Sequence, residues 1–273
     1  MSNKVIWITG ASTGIGKAIA IKFSKNGWNV AISARRLELL EEISKQNQNV
    51  FSFPLDVTNK DDCHKVFTEI KNKLGKIDLC VFSTGTWDPK KEKEIDVEQI
   101  ENVMKVNFFG TLNSIKSVEK YFKDLGKGHI SIVSSIAGYI GLPFRGIYSG
   151  SKGALELITE SYRMELKTFG VKMTTIAPGE FSTNIASRRF HSPLLKKSPY
   201  EKTYGPTLEL LNSHVDKGDD PRLMARFVYK IIMKENPKTH YIVGAFLQKI
   251  SITLKKILPD SIFEYLIMSF YKL

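Results

Sequence analysis

Seven short apolar runs, at residues 5–8, 28–33, 50–55, 77–82, 129–135, 171–177 and 239–244, are separated by segments of helical period. Apolar runs of about four to eight residues suit strands buried on both faces, and intervening helices of about ten to fifteen residues suit the crossovers that parallel strands require. The pattern predicts an α/β fold: a single Rossmann-type, doubly wound, mainly seven-stranded parallel sheet with helices on both faces. Helices are expected at 17–24, 37–45, 59–74, 97–106, 110–125, 148–166 and 221–234. The 273 residues, 42% hydrophobic and 25% charged, are enough for a large core and too apolar for disorder. One dinucleotide-binding and catalytic domain is expected over 1–245, with a helical tail at 246–273.

The first run passes into Thr9-Gly10-Ala11-Ser12-Thr13-Gly14-Ile15-Gly16 and then a helix. Glycines at 10, 14 and 16 let the backbone turn tightly and approach a diphosphate, whose charge is met by free N–H groups at the helix N-terminus. Gly10, Ser12, Thr13, Gly14, Ile15 and Gly16 are the candidate cradle. At the end of the second run an acid would bind a free ribose 2′-hydroxyl, but Ala34 and Arg35 stand there, and an arginine accommodates a 2′-phosphate. NADP(H) is therefore expected ahead of NAD(H), with Arg35 and Ser12 at the phosphate. Asp56 and Val57 close the third run where an adenine would lie, and Asp56 is also a candidate cap for the 59–74 helix. Ser83-Thr84-Gly85 closes the fourth.

Tyr148 and Lys152 are four residues apart, on one helix face about 6 Å apart. A tyrosine hydroxyl titrates near pH 10, and lowering it costs about 1.4 kcal/mol per unit; an adjacent ammonium supplies this by favouring the phenolate. Alone, the pair is explained by an ordinary helix with an exposed lysine. Ser135 strengthens it, since it ends the fifth run, on the edge where open α/β sheets bind ligands. Ser135 can donate to a carbonyl oxygen and Tyr148 can deliver the proton. Asn107, a poor helix former between two helical segments, marks a kink.

Taken in order from Thr9 to Thr183, these marks resemble the short-chain dehydrogenase/reductase superfamily, in its subgroup with the Thr-Gly-x-x-x-Gly-x-Gly turn and the Tyr-x-x-x-Lys helix. The resemblance implies an oxidoreductase that moves hydride between a nicotinamide and a carbonyl or secondary alcohol, with Asn107, Ser135, Tyr148 and Lys152 catalytic. It further implies that Lys152 holds the nicotinamide ribose, that Asn107 binds a water linking Lys152 to solvent, and that Gly85 lets the backbone come close. Pro178, Gly179 and Thr183 are implied at the nicotinamide, and a homodimer or homotetramer is expected. One departure stands out: the family's Asn-Asn-Ala-Gly is Phe82-Ser83-Thr84-Gly85, which removes the asparagines that steady that turn. A catalytically silent dinucleotide-binding protein is the competing class, and such a chain has no chemical reason to keep all four catalytic residues.

Residues 181–219 read as a substrate lid. Its Phe181, Phe190, Tyr200 and Tyr204 either favour an apolar substrate or pack the lid down, and His191 is a substrate contact or a surface residue. The tail carries Leu247, Ile250, Leu254, Ile257 and Leu258, then Pro259, then Ile262, Phe263, Leu266, Ile267 and Phe270, each set at helical period and too short to span a bilayer. Covering the active-site mouth or a subunit contact is the favoured role; Lys249, Lys255 and Lys256 make a basic amphipathic helix on a membrane surface the alternative. The formal charge of +12, from 40 basic and 28 acidic residues, is read as a solvated surface with no nucleic-acid partner, because the lysines are scattered among carboxylates. Cys80, in Leu79-Cys80-Val81-Phe82, reads as a buried hydrophobe. The absence of a disulfide framework and of a secretory segment after Met1-Ser2-Asn3-Lys4 places the expectation in the cytoplasm, with peripheral membrane contact only through the tail. The five histidines lack metal-ligand spacing, so no metal is expected.

Overall fold

Strand β1 (Val5–Thr9) pairs in parallel with β2 (Asn29–Ser33) on one side and with β4 (Leu79–Phe82) on the other. The computed structural model describes residues 4–86, 97–181, 203–207, 209–210 and 218–273. Within it β3 (Val50–Ser52), β5 (Gly128–Val133), β6 (Val171–Pro178) and β7 (His240–Val243) complete a seven-stranded sheet of order β3-β2-β1-β4-β5-β6-β7 with every ladder parallel. Strand order reverses between β1 and β4, and loops leaving the carboxyl ends there diverge and open a crevice. β3 is regular only to Ser52, yet the N–H groups of Phe53 and Leu55 go on donating to the Ile32 and Ala34 carbonyls at 2.9 and 3.0 Å, and Pro54 between them sits on an edge strand, where its missing N–H costs no bond to β2.

The principal helices among the described residues are α1 (Gly14–Ser24), α2 (Leu37–Lys45), α3 (Lys60–Leu74), α4 (Val97–Met104), α5 (Gly110–Leu125), α6 (Gly146–Lys167), α7 (Pro221–Ile232), α8 (Phe246–Ile257) and α9 (Asp260–Tyr271). Alternation along β1 divides the core. Ile6 and Ile8 join Ile19, Phe23, Met224 and Val228 in one layer, while Val5 and Trp7 join Phe67, Phe122 and Leu155 in the other. Each such side chain contributes about 1.5–3 kcal/mol by leaving water. The one polar atom of Trp7 is satisfied by Ser33 Oγ at 2.9 Å. Cys80 is buried as expected, and burial pushes its thiol well above the ordinary range.

Asp56 does not cap α3. The helix begins at Lys60, and Asn59 Oδ1 accepts from the N–H groups of Asp61 and Asp62 at 3.0 and 3.2 Å. Asp56, a full turn earlier, accepts instead from the N–H and hydroxyl of Thr58 at 3.0 and 2.8 Å. The kink expected at Asn107 is a π-helical turn, Lys105–Phe109, joining α4 to α5.

Thr183, Phe190, His191, Tyr200 and the charged loop at 88–94 lie outside the described residues. Of the lid aromatics, Phe181 and Tyr204 are buried, Phe181 in the core and Tyr204 edge-on to Phe144 at 5.1 Å, so both pack. The tail lies against the catalytic unit. Gln248 Nε2 donates to Glu180 at 3.1 Å, Lys255 Nζ donates to the Tyr139 carbonyl at 2.9 Å, and Thr207 Oγ1 donates to the Tyr271 carbonyl at 2.8 Å. The Gln248 carboxamide lies in the space beside Gly179 and Gly244 that a Cβ would enter.

A charged cluster ties α6 to β7. One carboxylate oxygen of buried Glu156 accepts from Tyr139 and Thr175 and meets His240 Nδ1, at 2.7, 2.5 and 2.7 Å, and His240 Nε2 meets Glu160 at 2.8 Å. Burial acts to raise the Glu156 carboxyl, but bonds led by His240 and Thr175 hold it below the usual carboxylate range. The bond to Glu156 raises the His240 imidazole against the opposing effect of its own burial. The lowered Glu156 contributes stability above its ordinary 4.5, lost as pH falls through its folded value; the raised His240 contributes fully below 6.5, lost as pH rises through its folded value. Both act together only between those limits. His240→Gln is therefore expected to lower the melting temperature most between about pH 5 and 6, and the gap to wild type should narrow at about pH 9; a gap independent of pH would show that the pair is not ionised.

Candidate active site

The glycine turn leaves β1 and packs on the turn after β4. Gly10 has φ +68°, and a Cβ there would lie 2.7 Å from the Ser83 carbonyl oxygen, so only glycine lets the two turns approach. Gly14 opens α1 and Gly16 is buried within it, with Ile15 half-buried against the core. Thr13 occupies the N-cap position, yet its side chain makes no capping bond, and among the described residues no side chain accepts from the first N–H groups of α1. This fits an incoming phosphate.

At the end of β2 the basic residue that reaches the glycine turn is Arg36, not Arg35. Arg36 donates to Ser12 Oγ at 3.0 Å, whereas Arg35 is exposed. The chain bends at Arg35 before α2 begins at Leu37, and of the two arginines Arg36 is the more buried. Nothing in the residue types distinguishes the pair. Val57 is buried, and its carbonyl accepts from Asn113 at 3.0 Å, fixing the loop after β3 on α5.

Lys152 carries the centre. Its ammonium donates to the Val133 carbonyl at 3.1 Å, lies 5.9 Å from the centroid of the Tyr148 ring, and is 4% exposed. Burial lowers it to about 8, with the Glu156 charge acting in the opposite sense. Gly85 stands directly beside it: a Cβ there would lie 3.3 Å from Lys152 Nζ and 3.6 Å from Asn107 Oδ1. A side chain at Gly85 would press on the buried cation, so the glycine lets the turn after β4 lie close to Lys152 and Asn107. Ser135 is two residues past Val133 on the same edge. Its oxygen accepts from the Ala137 N–H at 3.2 Å, which uses a lone pair and leaves its O–H to donate. The short helical turn after it, Ile136–Gly138, packs on the Lys152 backbone through Gly138.

Asn107 is fully buried, and its side chain is spent on protein. Its Oδ1 accepts from the Thr86 N–H at 2.7 Å, and its Nδ2 donates to the Thr86 carbonyl at 2.9 Å and to Ser151 Oγ at 3.0 Å. It thereby holds the turn after β4 that lacks the usual asparagines. The Thr84 hydroxyl is buried without a partner among the described residues. Pro178 ends β6, and the Gly179 N–H donates to the Val243 carbonyl at 2.7 Å, placing both at the same edge. Gln248 was invisible in the sequence, where a glutamine in a surface helix carries no signal.

A family model described as short chain dehydrogenase matches residues 4–193. A 3-ketodihydrosphingosine reductase from Bacteroides thetaiotaomicron is 30% identical over 272 residues, covering 99% of each chain. An alcohol dehydrogenase from the archaeon Thermococcus sibiricus, complexed with 5-hydroxy-NADP, superposes with a TM-score of 0.74 at 23% identity, covering 89% of this chain and 97% of that one. A short chain dehydrogenase/reductase from Burkholderia phymatum in complex with NAD superposes with a TM-score of 0.82 at 20% identity, covering 93% of each. The two structures share the fold. Together with the family match from β1 through α6 to β6, the glycine turn and the buried Lys152 beneath Tyr148 lead to one assignment: the chain belongs to the short-chain dehydrogenase/reductase family and is an oxidoreductase.

Proposed function

We propose that the chain uses NADPH to reduce the ketone of a long apolar substrate. The observation that carries the cofactor choice is the cationic, acid-free end of β2, where Arg36 reaches Ser12 and Arg35 stands beside it. Those two guanidiniums would hold a 2′-phosphate, the α1 N-terminus a diphosphate, and Lys152 the nicotinamide ribose, with Asp56 and Val57 at the adenine and Pro178, Gly179 and Thr183 at the carboxamide. A bound nicotinamide supplies the hydride. Ser135 donates to the carbonyl oxygen as negative charge develops on it, and Tyr148 delivers the proton. The Lys152 ammonium favours the phenolate left on Tyr148. Asn107 contributes by fixing Thr86 and Ser151; a water bound at its main-chain carbonyl would share that oxygen with Thr111 Oγ1, which donates to it at 2.8 Å. Residues 1–245 are the catalytic unit in this reading, with 246–273 appended to its mouth.

The substrate class is supported by the loop between Ser135 and Tyr148, Ile140-Gly141-Leu142-Pro143-Phe144, which offers no charge before Arg145. The Bacteroides relative named for a ketone on a long-chain base points the same way. A panel of long-chain 3-ketones and short ketones, followed at the nicotinamide absorbance with each coenzyme, tests the proposal. Each buried methylene is worth about 0.8 kcal/mol, roughly fourfold, so kcat/KM should rise by more than about a hundredfold from short to long chains. Chain-length independence, or equal use of NADH, would overturn it.

A further inference from the structure

The two tail helices leave one side in solvent. Nine of the nineteen exposed large hydrophobics among the described residues fall in 246–273, the last tenth of the chain. On α8 these include Phe246, Leu247 and Ile257, 74%, 75% and 69% exposed; on α9, Ile262, Tyr265 and Leu266, with Tyr265 71% exposed. Single exposed apolar residues are ordinary, but such a concentration on two consecutive helices marks an interaction surface. Lys249, three residues from Phe246, and Lys256, seven residues further on, line one exposed edge of the apolar face of α8, and Lys272 follows α9. Asp260 and Glu264 are the acids of the tail against four lysines. The opposite side of α8 is already committed, through Gln248 to Glu180, buried Ile252, and Lys255 to Tyr139.

We propose that α8 and α9 dock the protein on an anionic phospholipid surface. Apolar side chains enter the headgroup and acyl boundary while lysine stems carry their ammonium groups to the phosphates. No helix among the described residues is long and apolar enough to cross a membrane, so these two lie in the plane of the interface. α8 starts at the carboxyl end of β7, the edge that carries Ser135 and Lys152, so docking brings the active-site mouth to the lipid. A second copy fits the face less well, since a two-fold contact would set two net-positive tails, each with four lysines against two acids, against one another.

Flotation of the full chain with vesicles of phosphatidylcholine, with and without phosphatidylglycerol, reads the docking without substrate or coenzyme and so separately from the catalytic proposal. The chain should float with the anionic vesicles, about tenfold more weakly with phosphatidylcholine alone, and should be released by salt. Phe246→Ser with Leu247→Ser, and separately Lys249→Glu with Lys256→Glu, should each lower binding by about tenfold or more while leaving melting temperature and turnover of a water-soluble ketone unchanged. Failure of the wild type to float, or unaltered binding by both variants, would overturn the proposal. So would a dimer that Phe246→Ser with Leu247→Ser converts to monomer, which would assign the face to a second copy. Flotation that persists in a chain turning over no ketone supports docking and removes only the catalytic reading.

Discussion

Tyr148→Phe is expected to lower kcat/KM for ketone reduction by about a thousandfold, at the upper part of the range for loss of a positioned proton donor, while NADPH binds as tightly as before. The variant keeps the ring that packs 5.9 Å from the Lys152 ammonium, so the surroundings of the buried cation hardly change. What disappears is the proton that neutralises the developing alkoxide. Ser135 remains to donate a hydrogen bond, and the residual rate measures its contribution and that of alignment. Steady-state turnover with fluorescence titration of NADPH separates the two quantities. Turnover near wild type would remove Tyr148 as the acid, and loss of coenzyme affinity would mean that the hydroxyl serves binding.

The second large effect concerns coenzyme choice. Arg36→Asp should weaken NADPH binding by about one hundredfold and leave NADH within about threefold, because a bond to a charged group is worth about 1.5–3 kcal/mol and charge reversal adds repulsion against the 2′-phosphate. Arg35→Asp should act in the same direction and less, since the exposed Arg35 interacts through water. Dissociation constants for both coenzymes with both variants decide the matter. Equal losses for NADPH and NADH would place Arg36 outside the phosphate site and leave its bond to Ser12 as a brace for the glycine turn.

The spacing of apolar runs carried the architecture because burial on both faces leaves a continuous signal, and all seven runs became parallel strands of one sheet. The glycine turn, the Tyr148 helix and the kink at Asn107 were legible for the same reason: each rests on chemistry within a few neighbouring residues. Asp56 was harder to place. Capping depends on which residue is the last before helical backbone, and Asn59 lies nearer that start than Asp56.

Residue types and their order thus determined the fold class, the family and the edge of the sheet on which ligands belong. Tertiary structure alone decided that Arg36 faces Ser12, that the Asn107 carboxamide holds the Thr86 backbone, and that Gln248 fills the space beside Gly179. It also decided that one side of the tail meets Glu180 and the Tyr139 carbonyl while the other keeps an apolar, basic surface exposed. Local pattern records what a residue does to its own backbone and which face it shares. Which distant partner meets that face depends on how separate elements pack, and a periodicity a few residues long holds no record of it.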